Sequence, residues 1–247
     1  MIKQDRQDSI WRHYQNQAKS VFDLSYPRLQ FLAERCPPKM RVLNIGVGSG
    51  YLEKMLIKRG VEVCSLDPCE ESIARLQVEL NMGEQARQGY SYKIPFDAGS
   101  FDRVIMTEVL EHLSDEALYA TLDEVQRVLK PGGEFTGTVP YREDLHDNEV
   151  LCPYCKAQFH RWGHHQSFDV ASLGNLLKQH GFFVKRIYPR SFPDFRRPGL
   201  RYSIKAVFRY VLGRMGESLI GPNLYFVAST NLKLGLDGRC PKTGIFK

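Results

Sequence analysis

No apolar run in this chain of 247 residues approaches the ~18–20 residues that a membrane span requires. The opening residues, M-I-K-Q-D-R-Q-D, are polar and of mixed charge and lack the apolar core of a secretory signal. A cytoplasmic chain is therefore expected, with its six cysteines reduced. Internal repeats and low-complexity tracts are absent, which excludes solenoids and low-complexity linkers. Neither Lys-Ser nor Lys-Thr follows the main glycine cluster, so there is no phosphate-gripping loop of the G-x-x-x-x-G-K-[ST] type. The G-x-G-x-x-G spacing of dinucleotide binders is missing there as well. No aromatic RNP sequence accompanies the net charge of +6, so only the basic charge points toward RNA at this stage. An apolar content of 43% and a charged content of 25% are ordinary for a globular protein. The length suffices for one large α/β domain carrying insertions.

The most informative stretch is Val42 to Gly50, V-L-N-I-G-V-G-S-G. Val42, Leu43 and Ile45 bracket Asn44 and run into Gly46, Gly48 and Gly50. A buried strand ending in a glycine-rich turn that opens a helix brings bare backbone close to a ligand. Val61 to Leu66 reads as a second strand ending in Asp67, whose carboxylate can accept hydrogen bonds from a ribose diol. Together these describe a nucleoside-binding βαβ unit.

The G-x-G-x-G spacing resembles the first motif of class I S-adenosylmethionine-dependent methyltransferases. Three further segments follow in that family's order. Ile94 to Met106, I-P-F-D-A-G-S-F-D-R-V-I-M, is similar to its loop and fourth strand. Thr107 to Leu113, T-E-V-L-E-H-L, is similar to its post-strand segment, and Val125 to Gly133, V-Q-R-V-L-K-P-G-G, to the turn before its fifth strand. The resemblance is close over about residues 40–140 and loose over 167–230. It implies a Rossmann-like sheet of seven mostly parallel strands, with helices on both faces and the last strand antiparallel.

One methyltransferase domain over 1–247 is expected, with three additions. Residues 1–38 form a helical cap; in 9–35, Trp11, Tyr14, Ala18, Val21 and Phe22 recur at helical spacing. Residues 140–166 form a Cys/His-rich insertion, and residues 189–222 a basic helical insertion. Helices are expected over 70–81, 116–129 and 170–180, the last capped by Asp169. Strands are expected over 134–139, 182–188 and 224–229.

The resemblance implies S-adenosylmethionine as cofactor, held by Asn44, Gly46, Gly48, Gly50, Asp67, Tyr90, Ser91 and Glu108. Two positions depart from the family. Asn44 replaces the usual Asp and loses a charge. Tyr90 lies near the position that usually supplies an acid to the adenine amino group. Adenine is then expected to meet the Tyr90–Ser91 backbone and an aromatic face. The departures leave open a non-catalytic S-adenosylmethionine-binding protein.

Glu108, Glu111 and His112 are the expected catalytic group, with His112 the first candidate for general base. His160, His164 and His165 follow. Carboxylates and imidazole can also hold Mg²⁺ or Mn²⁺ beside a substrate diol. The same E-x-x-E-H cluster occurs in ubiquinone-pathway O-methyltransferases and small-RNA ribose methyltransferases. In the bland reading Glu108 and His112 only shape the pocket.

Cys152, Cys155, His160 and His164 have the spacing of a structural zinc set, with His165 an alternate ligand. The alternative is a loop with incidental cysteines and substrate-contacting histidines. Residues 189–216 hold seven basic residues against one acid, Asp194. Their apolar stripe suits either peripheral contact with an anionic membrane, a grip on a phosphorylated acceptor, or simple packing with a solvated basic face. Resemblance to methyltransferases of bacterial cell-surface glycan gene sets implies O-methylation of a sugar, or of a sugar-attached group, on a small or lipid-linked precursor. The alternatives are a quinone-like or natural-product hydroxyl and an RNA acceptor.

Overall fold

The computed structural model describes residues 25–192 and 223–231, together with Ile10 and Asp194. The expectations for residues 11–24 and for the basic insertion beyond Asp194 lie outside the described residues.

Strands β1 (Arg41–Ile45), β2 (Glu62–Asp67), β3 (Ala86–Gln88), β4 (Phe101–Thr107) and β5 (Leu129–Pro140) belong to one sheet. Beyond the hairpin strands β6 (Glu149–Leu151) and β7 (Gln158–His160), β8 (Phe183–Arg190) and β9 (Asn223–Ser229) complete it. The order is β3-β2-β1-β4-β5-β9-β8. The pairs from β3 through β5 are parallel, and β9 runs antiparallel to both β5 and β8. This is the expected Rossmann-like sheet.

Strands buried on both faces read as continuous apolar runs rather than alternating ones. In β1 and β2 every residue after the first is buried. Successive side chains nevertheless enter two different cores. Leu43, Ile45, Val104 and Met106 join Leu118, Leu122 and Val125 of helix α4 (Asp115–Val128) and Leu173 and Leu177 of helix α5 (Val170–Gln179). Val42, Val63 and Ile105 join Leu29 and Leu32 of α1 (Tyr26–Ala33), Leu52 and Leu56 of α2 (Tyr51–Lys58), and Ile73 and Leu76 of α3 (Glu70–Glu79). Helices thus cover both faces.

The helix ends follow from local chemistry. Asp169 caps α5 by accepting from Ser172 N–H at 2.7 Å, while the Ser172 hydroxyl accepts from Asp169 N–H at 2.8 Å. This reciprocal arrangement satisfies two donors at the helix start. The P-G-G segment expected to separate α4 from the fifth strand lies inside β5 instead. Phe101 pairs with Leu129 and Arg103 with Glu134, so the extra residues bulge out of the ladder. Gly132, at φ +76°, makes the bend.

Strand order reverses between β1 and β4, and ligands of open α/β sheets bind at such a switch point, beyond the carboxyl ends of the strands. The segment 140–166 rises from the same end. It is stapled at its root, where Tyr141 bridges Phe168 and Arg142 N–H donates to Phe168 O at 2.8 Å. Within it, β6 and β7 form an antiparallel hairpin in which Glu149 pairs with His160.

Candidate active site

The carboxyl ends of β1, β2 and β4, the loop after β3, helix α1 and the inserted segment line one cavity of about 800 Å³. Its floor is the glycine turn. Gly46, Gly48 and Gly50 all have positive φ, at 88°, 55° and 77°, a region open to glycine at little cost. Space enforces the choice too: a Cβ on Gly46 would lie 2.6 Å from a Val109 methyl.

Asp67 is 1% exposed at the end of β2. Its oxygens accept from Val47 N–H at 2.7 Å and from Cys69 N–H at 2.8 Å. The carboxylate therefore ties β2 to the glycine turn. A carboxylate offers about four acceptor positions, so these bonds are compatible with hydrogen bonds to a ribose diol.

Asn44 is also buried. Its amide donates to Gly46 O at 3.3 Å and to the Glu53 carboxyl at 2.7 Å. Glu53, fully buried on α2, also accepts from the Ser65 hydroxyl at 2.9 Å. Burial pushes the Glu53 carboxyl above its ordinary range, against the Asn44 and Ser65 hydrogen bonds. This explains the departure at position 44: an aspartate there would face the Glu53 carboxyl, whereas an amide donates to it. Asn44 Oδ1 is buried on the cavity wall with no hydrogen-bond partner among the described residues.

Tyr90, Ser91 and Tyr92 form the wall after β3. The Tyr90 and Tyr92 rings stack with centroids 5.1 Å apart. Ser91 is locked to Thr121 by a 2.7 Å hydroxyl contact.

At the far wall, Glu108 has a φ of +54°, rare for a residue with a side chain. Its oxygens accept from Thr138 and from Asn223, each at 2.9 Å, and Arg28 lies 3.4 Å away. Arg28, from α1, lines the cavity, and its Nε is buried without a hydrogen-bond partner among the described residues. Sequence reading missed Arg28; its only signal was a lone basic residue early in an apolar helix.

Glu111 is fully buried and neither of its oxygens has a hydrogen-bond partner among the described residues. Burial, reinforced by the nearby Glu108 charge, pushes its carboxyl well above the ordinary range. The His112 ring lies 3.3 Å from Gly163 O through Nδ1. Burial, with His164 next, pushes His112 down to about 3. His112 is therefore a neutral imidazole at neutral pH, suited to donating a lone pair and poor as a strong base.

His164 comes from the inserted segment, and its ring lies 4.6 Å from that of His112. Its Nδ1 pairs with Glu143 at 2.5 Å. Burial works against the Glu143 carboxylate, but the His164 hydrogen bond and the neighbouring imidazoles hold it below its ordinary range. Glu143 was not anticipated, because it stands twenty-one positions before His164 in an irregular stretch.

Among the described residues, two groups of potential metal-ligating atoms emerge. Glu111, His112 and His164 have ligand atoms within 4.8 Å of one another, and so do Glu143, His160 and His164. Both differ from expectation. Glu108 is absent from the first, because its oxygens are held by Thr138 and Asn223. The expected zinc set is split: His160 stacks on His164 at 4.7 Å and faces Glu143 at 3.6 Å. Among the described residues, neither Cys152 nor Cys155 joins a group of three ligands.

The family described as "Methyltransferase domain" matches residues 10–186. The ubiquinone biosynthesis O-methyltransferase of Hahella chejuensis is 33% identical over 129 residues, 50% of this chain and 53% of that protein. The chain spans about half the length of the curated relatives it matches first. Two solved structures share the fold. One is a complex between the Haloferax volcanii Trm112 methyltransferase activator and a methyltransferase, 22% identical, covering 90% of this chain and 97% of that chain with TM-score 0.66. The other is the Burkholderia thailandensis 1,6-didemethyltoxoflavin-N1-methyltransferase with bound 1,6-didemethyltoxoflavin and S-adenosylhomocysteine, 19% identical, covering 91% of this chain and 88% of that chain with TM-score 0.62. With the family match over well more than half its length and the glycine turn, Asp67 and switch-point cleft in place, the chain belongs to the methyltransferase-domain family, and residues 10–186 are a class I S-adenosylmethionine-dependent methyltransferase domain.

Proposed function

We propose that the protein transfers a methyl group from S-adenosylmethionine to a hydroxyl of a small acceptor bound against Glu111, His112 and His164. One observation carries the reading: the glycine turn with Asp67 and the carboxylate–imidazole group line the same cavity. The donor set suits the cofactor. Asp67 would hold the ribose, Asn44 Oδ1 offers an acceptor to the methionine ammonium, and Arg28 offers its guanidinium to the carboxylate. The Tyr90–Ser91 backbone and the tyrosine faces would hold adenine. When bound, the cofactor supplies an electrophilic methyl on a sulfonium. The chain's own contribution is to align an acceptor oxygen and exclude water, a source of much of the rate in bimolecular displacement.

The Glu111 oxygens, buried and without hydrogen-bond partners among the described residues, would suit a divalent cation together with the imidazoles of His112 and His164. Hard cations such as Mg²⁺ and Mn²⁺ favour carboxylate and tolerate imidazole while leaving positions for other ligands. Such a cation lowers the pKa of a bound hydroxyl, removing the need for a strong base in a wall where His112 is not one. Glu143 behind His164 and Gly163 O beside His112 would orient the two imidazoles toward such a cation.

The acceptor reading is a sugar, or a sugar-attached group, of a glycan precursor, supported by Trp162 beside a polar imidazole wall. A quinone-like hydroxyl is the second reading, favoured by similarity to ubiquinone biosynthesis O-methyltransferases. Production of S-adenosylhomocysteine with nucleotide-linked sugars and with catechol-type acceptors separates them. Activity is expected to fall on chelation and return with Mg²⁺ or Mn²⁺. Full turnover in a chelator removes the cation from the account, and no turnover with any hydroxyl acceptor removes the O-methylation reading.

A further inference from the structure

The hairpin of the inserted segment carries two thiols that the cofactor cleft does not use. Above the Glu149–His160 pair the ladder continues through Val150–Phe159 and Leu151–Gln158. Cys152 N–H then donates to Ala157 O at 2.9 Å, and Lys156 N–H to Cys152 O at 3.0 Å. These bonds close a tight turn, C-P-Y-C-K-A, with Lys156 at φ +59°. The turn brings the Cys155 side chain and the backbone N–H groups of Tyr154 and Cys155 onto the Cys152 sulfur.

Among the described residues, the surroundings separate this pair from the other cysteines. Cys155 is exposed and Cys152 half-buried, whereas Cys36, Cys64 and Cys69 are buried. Burial pushes the Cys36 and Cys64 thiols up. At Cys152 the Cys155 and Tyr154 N–H groups and the Cys155 thiol pull the opposite way. A thiolate is the nucleophile in exchange with disulfides, so a solvent-reached thiol held toward the thiolate reacts first. The histidines expected to complete a zinc set lie against Glu143 instead, His164 at 2.5 Å and His160 at 3.6 Å.

We propose that Cys152 and Cys155 form a reversible dithiol–disulfide pair that exchanges with small disulfides. The Cys152 thiolate attacks one sulfur of a low-molecular-weight disulfide. A mixed disulfide forms and one thiolate leaves. The Cys155 thiolate then attacks the Cys152 sulfur and expels the second. Two protein thiols lose two protons and two electrons, and one small disulfide becomes two small thiols. Cys152 is the attacking residue and Cys155 the resolving one.

The test uses the full chain, treated with oxidised glutathione in the presence of a chelator and mapped by peptide mass spectrometry. Wild type is expected to give a Cys152–Cys155 disulfide with no retained glutathione, reversed by dithiothreitol. Cys155→Ser is expected to trap glutathione on Cys152. Cys152→Ser is expected to react at least tenfold more slowly. The proposal is overturned if glutathione settles first on Cys36, Cys64, Cys69 or Cys240. It is also overturned if the wild type keeps a stable mixed disulfide, or if a metal retained by the pair through chelation blocks the reaction. None of these outcomes bears on methyl transfer, so the proposal stands or falls apart from the proposed function.

Discussion

At the scale of single residues, Asn44 shows how a departure from a family pattern acquires a reason. Its amide and the Glu53 carboxyl form one buried unit with Ser65. Asn44→Asp would place a second carboxyl 2.7 Å from the first. That substitution is expected to cost ~1–3 kcal/mol of stability in denaturant titrations, the scale of a buried polar group that loses its partner. Asn44→Asp combined with Glu53→Gln should recover much of the loss, since the amide again faces an acceptor. The pH dependence has a definite sign. Burial raises the folded-state pKa of Glu53 above its ordinary 4.5. Its contribution is complete below that ordinary value and is lost as pH rises through the raised one. As pH rises from 4.5 through the raised value, the wild-type midpoint should therefore fall relative to that of Glu53→Gln. Parallel profiles for the two proteins would show that Glu53 titrates normally.

At the scale of elements, the strands flanking the switch point were readable because a doubly buried strand is a run of apolar residues and the turn between strand and helix needs glycine. The Asp169 cap was equally readable, since its bonds are local. Strand β3 and the β6–β7 hairpin were not, because three-residue strands are too short to show a period. Gly137 was unmarked for a different reason. Its backbone is extended, so no turn signals it, but a Cβ there would sit 1.8 Å from Met106 O across the β4–β5 ladder. Gly137→Ala is therefore expected to cost at least the ~1–3 kcal/mol of an overpacked core site, because the obstacle is backbone. It should also disturb Glu108, whose N–H donates to Thr138 O at 2.8 Å one residue beyond. Thermal unfolding measures the first effect and cofactor affinity the second; a variant equal to wild type in both would show that the ladder relaxes freely.

At the scale of the whole molecule, the glycine turn and Asp67 are close in sequence and the residues of the cavity's far wall are not. Asn44, the glycines and Asp67 fall within one βαβ unit and carry a recognisable spacing. The far wall of the cavity is assembled from α1, the turn after β4 and the inserted segment. Arg28 reaches Glu108 across eighty positions and Asn223 reaches it across 115. Glu143 finds His164 inside the insertion, which leaves the cysteines to the hairpin tip. No local pattern records such meetings, which is why the spacing of Cys152, Cys155, His160 and His164 suggested one metal set where the fold makes two groupings.

The central claim is that the cleft at the carboxyl ends of β1 and β2 binds the adenosyl cofactor, with Asp67 on the ribose. Calorimetric titration of the full chain with S-adenosylhomocysteine tests it directly. The account predicts saturable binding to the wild type, weakened by ~1–3 kcal/mol in Asp67→Ala, the scale of a lost hydrogen-bonded charge. Equal affinity in the variant, or tighter binding of NAD than of S-adenosylhomocysteine, would contradict it.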